Sequence, residues 1–459
     1  MIAEQEKSQT IVLEVRGAVE NQSAQIESQQ STQAHEQMRA LTQNLMERIC
    51  EPSNLNEAVK RVRSNKGSPG IDGMSVYSLE GWLDINGQQL RRSLLEGQYR
   101  PQPVRAVEIP KPDGGVRELG IPTVIDRVVQ QAILQVLSPL LDPTFSESSF
   151  GFRPRRSAHQ ALRAACEHVK AGYVYVVDLD IEKFFDRVNH DILMSRLAKR
   201  IDDKRLLRLI RWYLQAGMFK NGIALDREEG TPQGGPLSPL LANLLLDEFD
   251  KELEKRGHRF CRYADDCNIY VRSEQAGKRV MASLTEFLSK RLRLKVNQQK
   301  SAVAYAEERQ FLGHRLLRGG KLGVAPKAIR KFKSRVREIT SRHRGVKMER
   351  IIAELNLFTR GWLNYFRHAK ITQLLRLLDG WIRRRLRCYR LVQCKRRYIV
   401  VRLLLKLGAE KSEAWNAVRS RPGPWRLSQK DVTRNALSCE WFTSLGLFSL
   451  SSKYAAFKA

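Results

Sequence analysis

The sequence predicts an α+β core followed by an all-helical, strongly basic region, and three observations carry that division. From about residue 51 to 320, strand-like runs (VRAVEIPKP, YVYVVDLDI, CNIYVR, LKVNQQKS) are separated by helical ones such as VVQQAILQVLSPLL. Beyond Pro326 the strand signals fade, and helical periods take over in ERIIAELNLFTRGWLNYF and QLLRLLDGWIRRRLRCYRLV. Between 326 and 426 there are 28 Lys or Arg against six Asp or Glu, so this segment holds about +22 of the chain's +31.

The bulk properties bound the function. At 459 residues and 42% apolar content the chain builds one large domain or two to three ordinary ones. A net charge of +31 attracts polyanions by counterion release and steering, more than solubility alone requires. The seven cysteines are odd in number and form no CxxC pair, which points to reduced thiols and away from zinc. No apolar run reaches the roughly 18 residues of a membrane span, and residues 1–45 lack a signal-peptide core, so the expected location is the cytoplasm, with no membrane partner.

Taken in order, residues 1–50 carry nine Gln, seven acidic and four basic residues, and read as a weakly helical or disordered extension. Ordered chain is expected from near Asn54, where LNEAVKRVRSNKGSPGID gives an amphipathic helix stopped by Gly67, Pro69 and Gly70. EIPKPDGGVRELGIP (108–122) reads as a hairpin around Asp113-Gly114-Gly115, with Lys111 and Arg117 on its arms. Such a pair suits a triphosphate, although either cation alone suits an ordinary surface. In YVYVVDLDIEKFFDRVNH (173–190) a β-prone run leads into Asp178 and Asp180, which share one face at period 2, followed by Phe184, Phe185 and Asp186. EEGTPQGGPLSPLLAN (228–243) puts Gly234-Gly235 where backbone approaches a ligand closely, just before a helix N-terminus.

The most informative stretch is FCRYADDCNIYV (260–271), where Asp265 and Asp266 stand side by side between β-prone flanks. Successive strand residues point to opposite faces, so the two acids converge only at a strand end or hairpin turn. Burying adjacent carboxylates raises a pKa unless a cation neutralises them, and hard divalent ions such as Mg²⁺ do so with oxygen ligands. An isolated pair of this kind is commonly a solvated turn; a second acidic strand at 173–190 argues otherwise. Three carboxylates from two strands suffice for two cations about 3.5–4 Å apart, the arrangement used in in-line phosphoryl transfer. Spacing alone leaves Asp178, Asp180 and Asp186 as alternatives for the third acid.

In this order the segments resemble the fingers and palm of reverse transcriptases, and more narrowly the reverse transcriptase/maturase encoded by bacterial group II introns. The resemblance runs from about 50 to 445 through GSPGIDG (67–73), IPKPDGGVRELGIPTVIDRVVQQAI (109–133), SSFGFRPRRSAHQA (148–161), VVDLDIEKFFDRVNHD (176–191), EGTPQGGPLSPLLANLLLDEFD (229–250), YADD (263–266), LKVNQQKS (294–301), FLGHRL (311–316) and GWLNYF (361–366). It implies a right-hand polymerase at 51–320, a helical thumb/maturase region at 321–445 and a short tail at 446–459. By the same resemblance Asp180, Asp265 and Asp266 are the catalytic, metal-binding acids, and Ile181 adds a backbone carbonyl. Phe185 is the bulky residue that excludes a ribose 2′-hydroxyl. Lys111 and Arg117 contact the triphosphate, Gln233 and Gly234 pack against the incoming nucleotide, and Lys300 matches a motif lysine after the YADD hairpin.

The implied cofactor is a pair of Mg²⁺ ions, with Mn²⁺ as a substitute. The implied partners are group II intron RNA, an RNA template with DNA primer, dNTPs and target DNA. The basic helical region resembles the surface that grips intron RNA, with Arg383, Arg384, Arg385, Arg387, Arg390, Lys395, Arg396 and Arg397 as phosphate contacts and Trp381 and Tyr389 interleaved for stacking. Leu377, Leu378, Trp381, Ile382 and Leu386 are expected in the core, as are Trp362, Tyr365 and Phe366, while His159 and His190 read as structural hydrogen-bonders. Without the paired cysteines of an endonuclease domain, the chain resembles the shorter, group IIC-like members. The competing expectations are an RNA-binding splicing factor without polymerase activity and a reverse transcriptase recruited to phage defence or CRISPR. Phe185 argues against an RNA-directed RNA polymerase.

Overall fold

The computed structural model describes residues 42–110, 115–220, 223–225 and 229–458. Most of the Gln-rich extension and Lys111 therefore lie outside the described residues. The folded chain begins earlier than Asn54: Leu45, Met46 and Ile49 are buried on the helix Leu45–Ile49. Five residues are too few to display a helical period, which hid this element in the sequence.

Eleven strands are named among the described residues. They are β1 (Val104–Pro110), β2 (Val116–Ile121), β3 (Tyr175–Asp180), β4 (Met218–Lys220), β5 (Ile223–Leu225), β6 (Arg259–Tyr263), β7 (Asp266–Val271), β8 (Ala302–Tyr305), β9 (Gln310–Phe311), β10 (His314–Leu317) and β11 (Lys321–Val324). By contacts the chain divides into two compact units. One comprises the described chain up to Ala161 with Val177–Ile269 and Gln275–Val303; the other comprises Leu162–Val176, Tyr270–Glu274 and the chain from Ala304.

In the first unit, β1 and β2 form the expected antiparallel hairpin, with Pro110 opposite Val116. It extends to a sheet of order β2-β1-β4-β5, in which β1 and β4 run parallel. Glu108 and Glu118 face each other across the hairpin. Like charges placed so would repel, and Lys220 on β4 bridges both at 2.8 Å. After the hairpin comes the helix Val124–Leu141, whose first turn is capped by the Thr123 hydroxyl accepting from the Asp126 amide. This helix and its extension to Thr144 are long and apolar enough to cross a membrane, yet 72% of the apolar window is buried, as expected of a core helix.

A second sheet, of order β6-β7-β3-β8, carries the acidic strands. LKVNQQKS departs from the strand expected there. Val296 makes one isolated bridge with Ile181, and the Asn297 side chain then accepts from the amides of Gln299 and Lys300, turning the chain before β8 starts.

The second unit is mainly helical, led by Pro326–Ile339, Met348–Phe366 and Thr372–Gln393. It also holds a small sheet of order β11-β10-β9, whose strands of two to four residues gave no readable alternation. Phe332, Trp362 and Phe366 pack ring to ring at 4.7 Å, and the Tyr365 hydroxyl donates to the Leu312 carbonyl, so these aromatics serve packing as expected. Leu378, Ile382 and Leu386 are buried, whereas Leu377 is 66% exposed and belongs to the surface. The expected tail also differs. Helix Leu450–Ala456 docks through Asp379, which accepts from the amides of Leu450 and Ser451 at 3.0 and 2.9 Å. Tyr454 is buried beside it and donates to the Ala369 carbonyl.

Candidate active site and nucleic-acid interface

Asp265 and Ala264 form the two-residue link between β6 and β7, and Asp266 opens β7. The pair thus sits at a hairpin turn, the one place where neighbouring strand residues converge. β3 lies next to β7 and ends at Asp180, whose charge, like that of Asp178, reaches Asp266. The Asp266 carboxyl is pushed up to about 6, first because surrounding protein displaces water, then by the charges of Asp265, Asp178 and Asp180; Lys300 opposes the rise. Asp266 still keeps an open side to solvent. Lys300 Nζ stands 3.8 Å from Asp180 Oδ2 and is 59% exposed, an accessible cation beside the acids.

The end of β3 is tied down on both sides. The Asp180 amide donates to Ser301 Oγ at 3.0 Å, and its carbonyl accepts from the Asn297 amide at 2.8 Å. Ile181 is buried and bridged to Val296. Asp178, one pleat back on the same face, contributes charge, while Asp186 is exposed in the following turn.

Phe185 stands in a helical turn with its ring 5.2 Å from Phe184, and its carbonyl accepts from the Thr231 amide at 2.6 Å. That bond joins it to the Gly-rich loop, which His190 also braces by contacting the Gly230 carbonyl at 2.7 Å. His190 is accordingly structural. The Gln233 carbonyl accepts from the Gly120 amide at 2.9 Å, setting Gln233 and Gly234 against β2. Gly234 has φ +135°, and a Cβ there would lie 2.6 Å from the Gly120 carbonyl oxygen, so only glycine fits. Arg117 projects from β2 with its side chain exposed.

A set of residues not singled out from the sequence supports the acidic turn. Ala264 has φ +58°, a left-handed conformation unfavourable to a residue with a Cβ. Arg262, 1% exposed, donates to the Ala264 carbonyl at 2.8 Å and to Asn243 Oδ1 at 3.0 Å. Its guanidinium is paired with the fully buried Asp250 through bonds of 2.7 and 2.6 Å. Gly151 lies against the same turn, with its ideal Cβ position 2.2 Å from the Ala264 nitrogen, and its carbonyl accepts from Asn243 at 2.9 Å. The lone signal was SSFGFRP, in which a glycine between two aromatics marks a close backbone approach.

Among the described residues no three His, Cys, Asp or Glu side chains close into a ready-made metal cage. An open carboxylate edge fits Mg²⁺ nonetheless, because that ion takes one or two protein carboxylates and leaves its other positions to phosphate and water. The mutual repulsion at Asp266 is what a cation would relieve.

In the helical unit the basic residues separate into two groups. Arg387 is buried, donates to the Leu437 carbonyl at 2.9 Å and has its pKa lowered by burial. Arg385 is half-buried and donates to Thr340 Oγ1 at 2.8 Å. Both are engaged within the protein, which corrects their expected place on an open phosphate face; the helix Thr372–Gln393 is packed on more sides than its arginine run suggested. Tyr389 is likewise buried, with its hydroxyl on the Val346 carbonyl at 2.6 Å, and offers no stacking face. Arg384 lies 3.9 Å over the Trp425 ring, Arg383 and Arg390 are partly exposed, and Lys395, Arg396 and Arg397 are exposed.

The chain matches the reverse transcriptase (RNA-dependent DNA polymerase) family model over residues 109–316, and the maturase-specific domain of group II introns over 329–404. It is 34% identical over 319 residues to protein YkfC of Escherichia coli, covering 60% of this chain and 83% of that one. It is 36% identical over 204 residues to the group II intron-encoded protein LtrA of Lactococcus lactis, covering 44% of this chain and 34% of LtrA. An uncharacterized 91 kDa protein in a cob intron of Schizosaccharomyces pombe is 34% identical over 197 residues, 42% of this chain and 24% of that one. The chain thus spans most of YkfC and about a third or less of the two intron proteins. Reverse transcriptase and maturase-specific segments in one chain, with an acidic turn on the polymerase sheet, lead to one conclusion: the protein belongs to the family of group II intron reverse transcriptase/maturases.

Proposed function

We propose that this protein copies intron RNA into DNA at Asp180, Asp265 and Asp266, and that its basic helical unit binds the same RNA to promote splicing and mobility. The observation that carries the reading is the convergence of two neighbouring strands on a carboxylate edge where Asp266 is pushed up to about 6. Membership of the reverse transcriptase family implies a divalent metal, and Mg²⁺, with Mn²⁺ as substitute, suits the donor set. When bound, such ions would lower the pKa of the primer 3′-hydroxyl and neutralise charge developing on the α-phosphate.

The chain's own residues orient the reactants. Asp180, Asp265 and Asp266, with the Ile181 carbonyl, form the anionic edge. Lys300 offsets the charge of Asp180 and offers a cation to the phosphates beside the acidic edge. Lys111 and Arg117 take the triphosphate, Gln233 and Gly234 hold the nucleotide, and Phe185 excludes a 2′-hydroxyl. Arg383, Arg384, Arg390 and Lys395–Arg397 contact RNA phosphates. Intron RNA, primed RNA template, dNTPs and target DNA are the corresponding ligands, in a bacterial cytoplasm.

Primer extension on an RNA template with dNTPs and Mg²⁺, comparing wild type with Asp265→Ala, tests the proposal. Extension by wild type alone is expected. No extension by either, with structured RNA still bound, would leave a splicing factor that has lost polymerisation.

A further inference from the structure

Outside the polymerase site, the helical unit contains an open groove of about 830 Å³ whose wall combines four cations with two exposed aromatic rings. Lys395, Arg396 and Arg397 lead into the helix Arg397–Lys406, whose second residue is Tyr398; Trp415 and Arg419 face the groove from the helix Lys411–Arg419. Trp415 and Arg419 are four residues apart and so share one helical face. The two helices are locked together beneath the groove by Val401, Leu404, Ala414, Ala417 and Val418, which are all buried. The frame is packed while the wall is open.

Three features define what the groove takes. Among the described residues no carboxylate lines it, so its occupant is anionic. Tyr398 and Trp415 are 47% and 48% exposed, although burying an aromatic side chain is worth more than burying almost any other. An aromatic face left open beside a line of cations matches bases stacked next to a phosphate backbone, and bases are free to stack only where they are unpaired. Duplex RNA offers phosphate to the cations and nothing to the rings. Trp415 and Arg419 also lie beyond residues 329–404, the part matched by the maturase-specific model.

We infer that this groove is a binding site for an unpaired RNA segment, with Tyr398 and Trp415 stacking on its bases and Lys395, Arg396, Arg397 and Arg419 on its phosphates. The inference rests on the reading that the helical unit binds RNA, and it adds the kind of RNA element bound there. The groove distinguishes single strands from helices by stacking, and it does so without base-edge readout.

The test uses the full chain and two labelled probes, a 12-nucleotide single-stranded RNA and a 12-base-pair RNA duplex, with binding followed by fluorescence anisotropy. Replacing Tyr398 and Trp415 by Ala should weaken single-strand binding by about 5- to 150-fold per stacked base lost. Duplex binding and primer extension at saturating primer-template should stay at wild-type level, which also shows that the variant is folded. Tyr398→Phe with Trp415→Phe should restore most of the single-strand affinity. As a second readout, single-stranded RNA should quench more tryptophan emission in wild type than in Trp415→Phe. Unchanged single-strand affinity in the Ala variant, equal loss for both probes, or identical quenching in wild type and Trp415→Phe would overturn the stacking site. If wild type bound neither probe, the RNA-binding reading itself would fail.

Discussion

Ala264, held at φ +58° directly before Asp265, is the residue on which the geometry of the proposed catalytic turn depends. A left-handed alanine costs on the order of 1 kcal/mol or more and persists only where its neighbours over-determine it. Here Arg262 pins its carbonyl, and Gly151 presses on its nitrogen with no room for a side chain. Gly151→Ala would drive a Cβ into that nitrogen and displace the turn without touching a ligand. Turnover should fall about 100-fold, the effect of roughly 1 Å of misplacement, with little change in KM for dNTP; steady-state kinetics separates the two, and an unchanged kcat would remove Gly151 from the support of the turn. The acids themselves were legible because negative charge inside β-prone sequence needs a reason. Their support was not legible, because an arginine, an asparagine and two acidic or glycine positions spread over 112 residues acquire a common purpose only after folding. Choosing Asp180 over Asp178 and Asp186 required the resemblance; in the structure Asp180 ends β3, while Asp178 and Asp180 both act on Asp266.

Elements were readable where periodicity ran long and unreadable where it ran short. Helices Val124–Leu141, Met348–Phe366 and Thr372–Gln393 and the two hairpins declared themselves, whereas Leu45–Ile49, the strands β9–β11 and the terminal Leu450–Ala456 did not. The strands β9–β11 pair locally but are too short to show a period, whereas Leu45–Ile49 and Leu450–Ala456 are held by hydrogen bonds to residues far along the chain, which no window of sequence contains. Asp203 is the example: it caps the helix Lys204–Gln215 through the amides of Arg205 and Leu206 and also accepts from the Met46 amide at 3.0 Å, anchoring Leu45–Ile49. Burial alone would raise its pKa, but the amides of Met46 and Leu206 and the Arg205 guanidinium outweigh it and hold the carboxyl below the ordinary 3.8. A depressed pKa means stabilisation that is complete above the unfolded value and is lost as pH falls through the folded one. Asp203→Ala should therefore cost about 1–2 kcal/mol at pH 7, with the deficit shrinking below pH 3.8. Melting temperatures of both proteins across that range check it; a deficit independent of pH would mean that packing, not the carboxylate, anchors the first helix.

At the scale of the whole molecule, charge is divided by task. The end of the acidic sheet is a cluster of carboxylates that invites cations, while 28 Lys or Arg against six acids between 326 and 426 invite a polyanion. This division was visible in composition alone, since counting charge requires no fold. What composition could not show is that some of those cations are already engaged. Arg385 and Arg387 spend their donors on Thr340 and Leu437, so the number of phosphates neutralised must be smaller than the number of arginines. That number is measurable, because each neutralised phosphate contributes roughly 0.9 to the slope of log affinity against log salt for a duplex and roughly 0.7 for a single strand. Replacing the open Arg396 and Arg397 by Gln should lower the single-strand slope by roughly 1.4, whereas Arg387→Gln should leave the slope unchanged and lower the melting temperature instead. Titrations between 50 and 200 mM salt decide the matter. A slope that responds to Arg387 as it does to Arg396 would place the buried guanidinium on the RNA after all, and with it a rearrangement of the helix Thr372–Gln393 on binding.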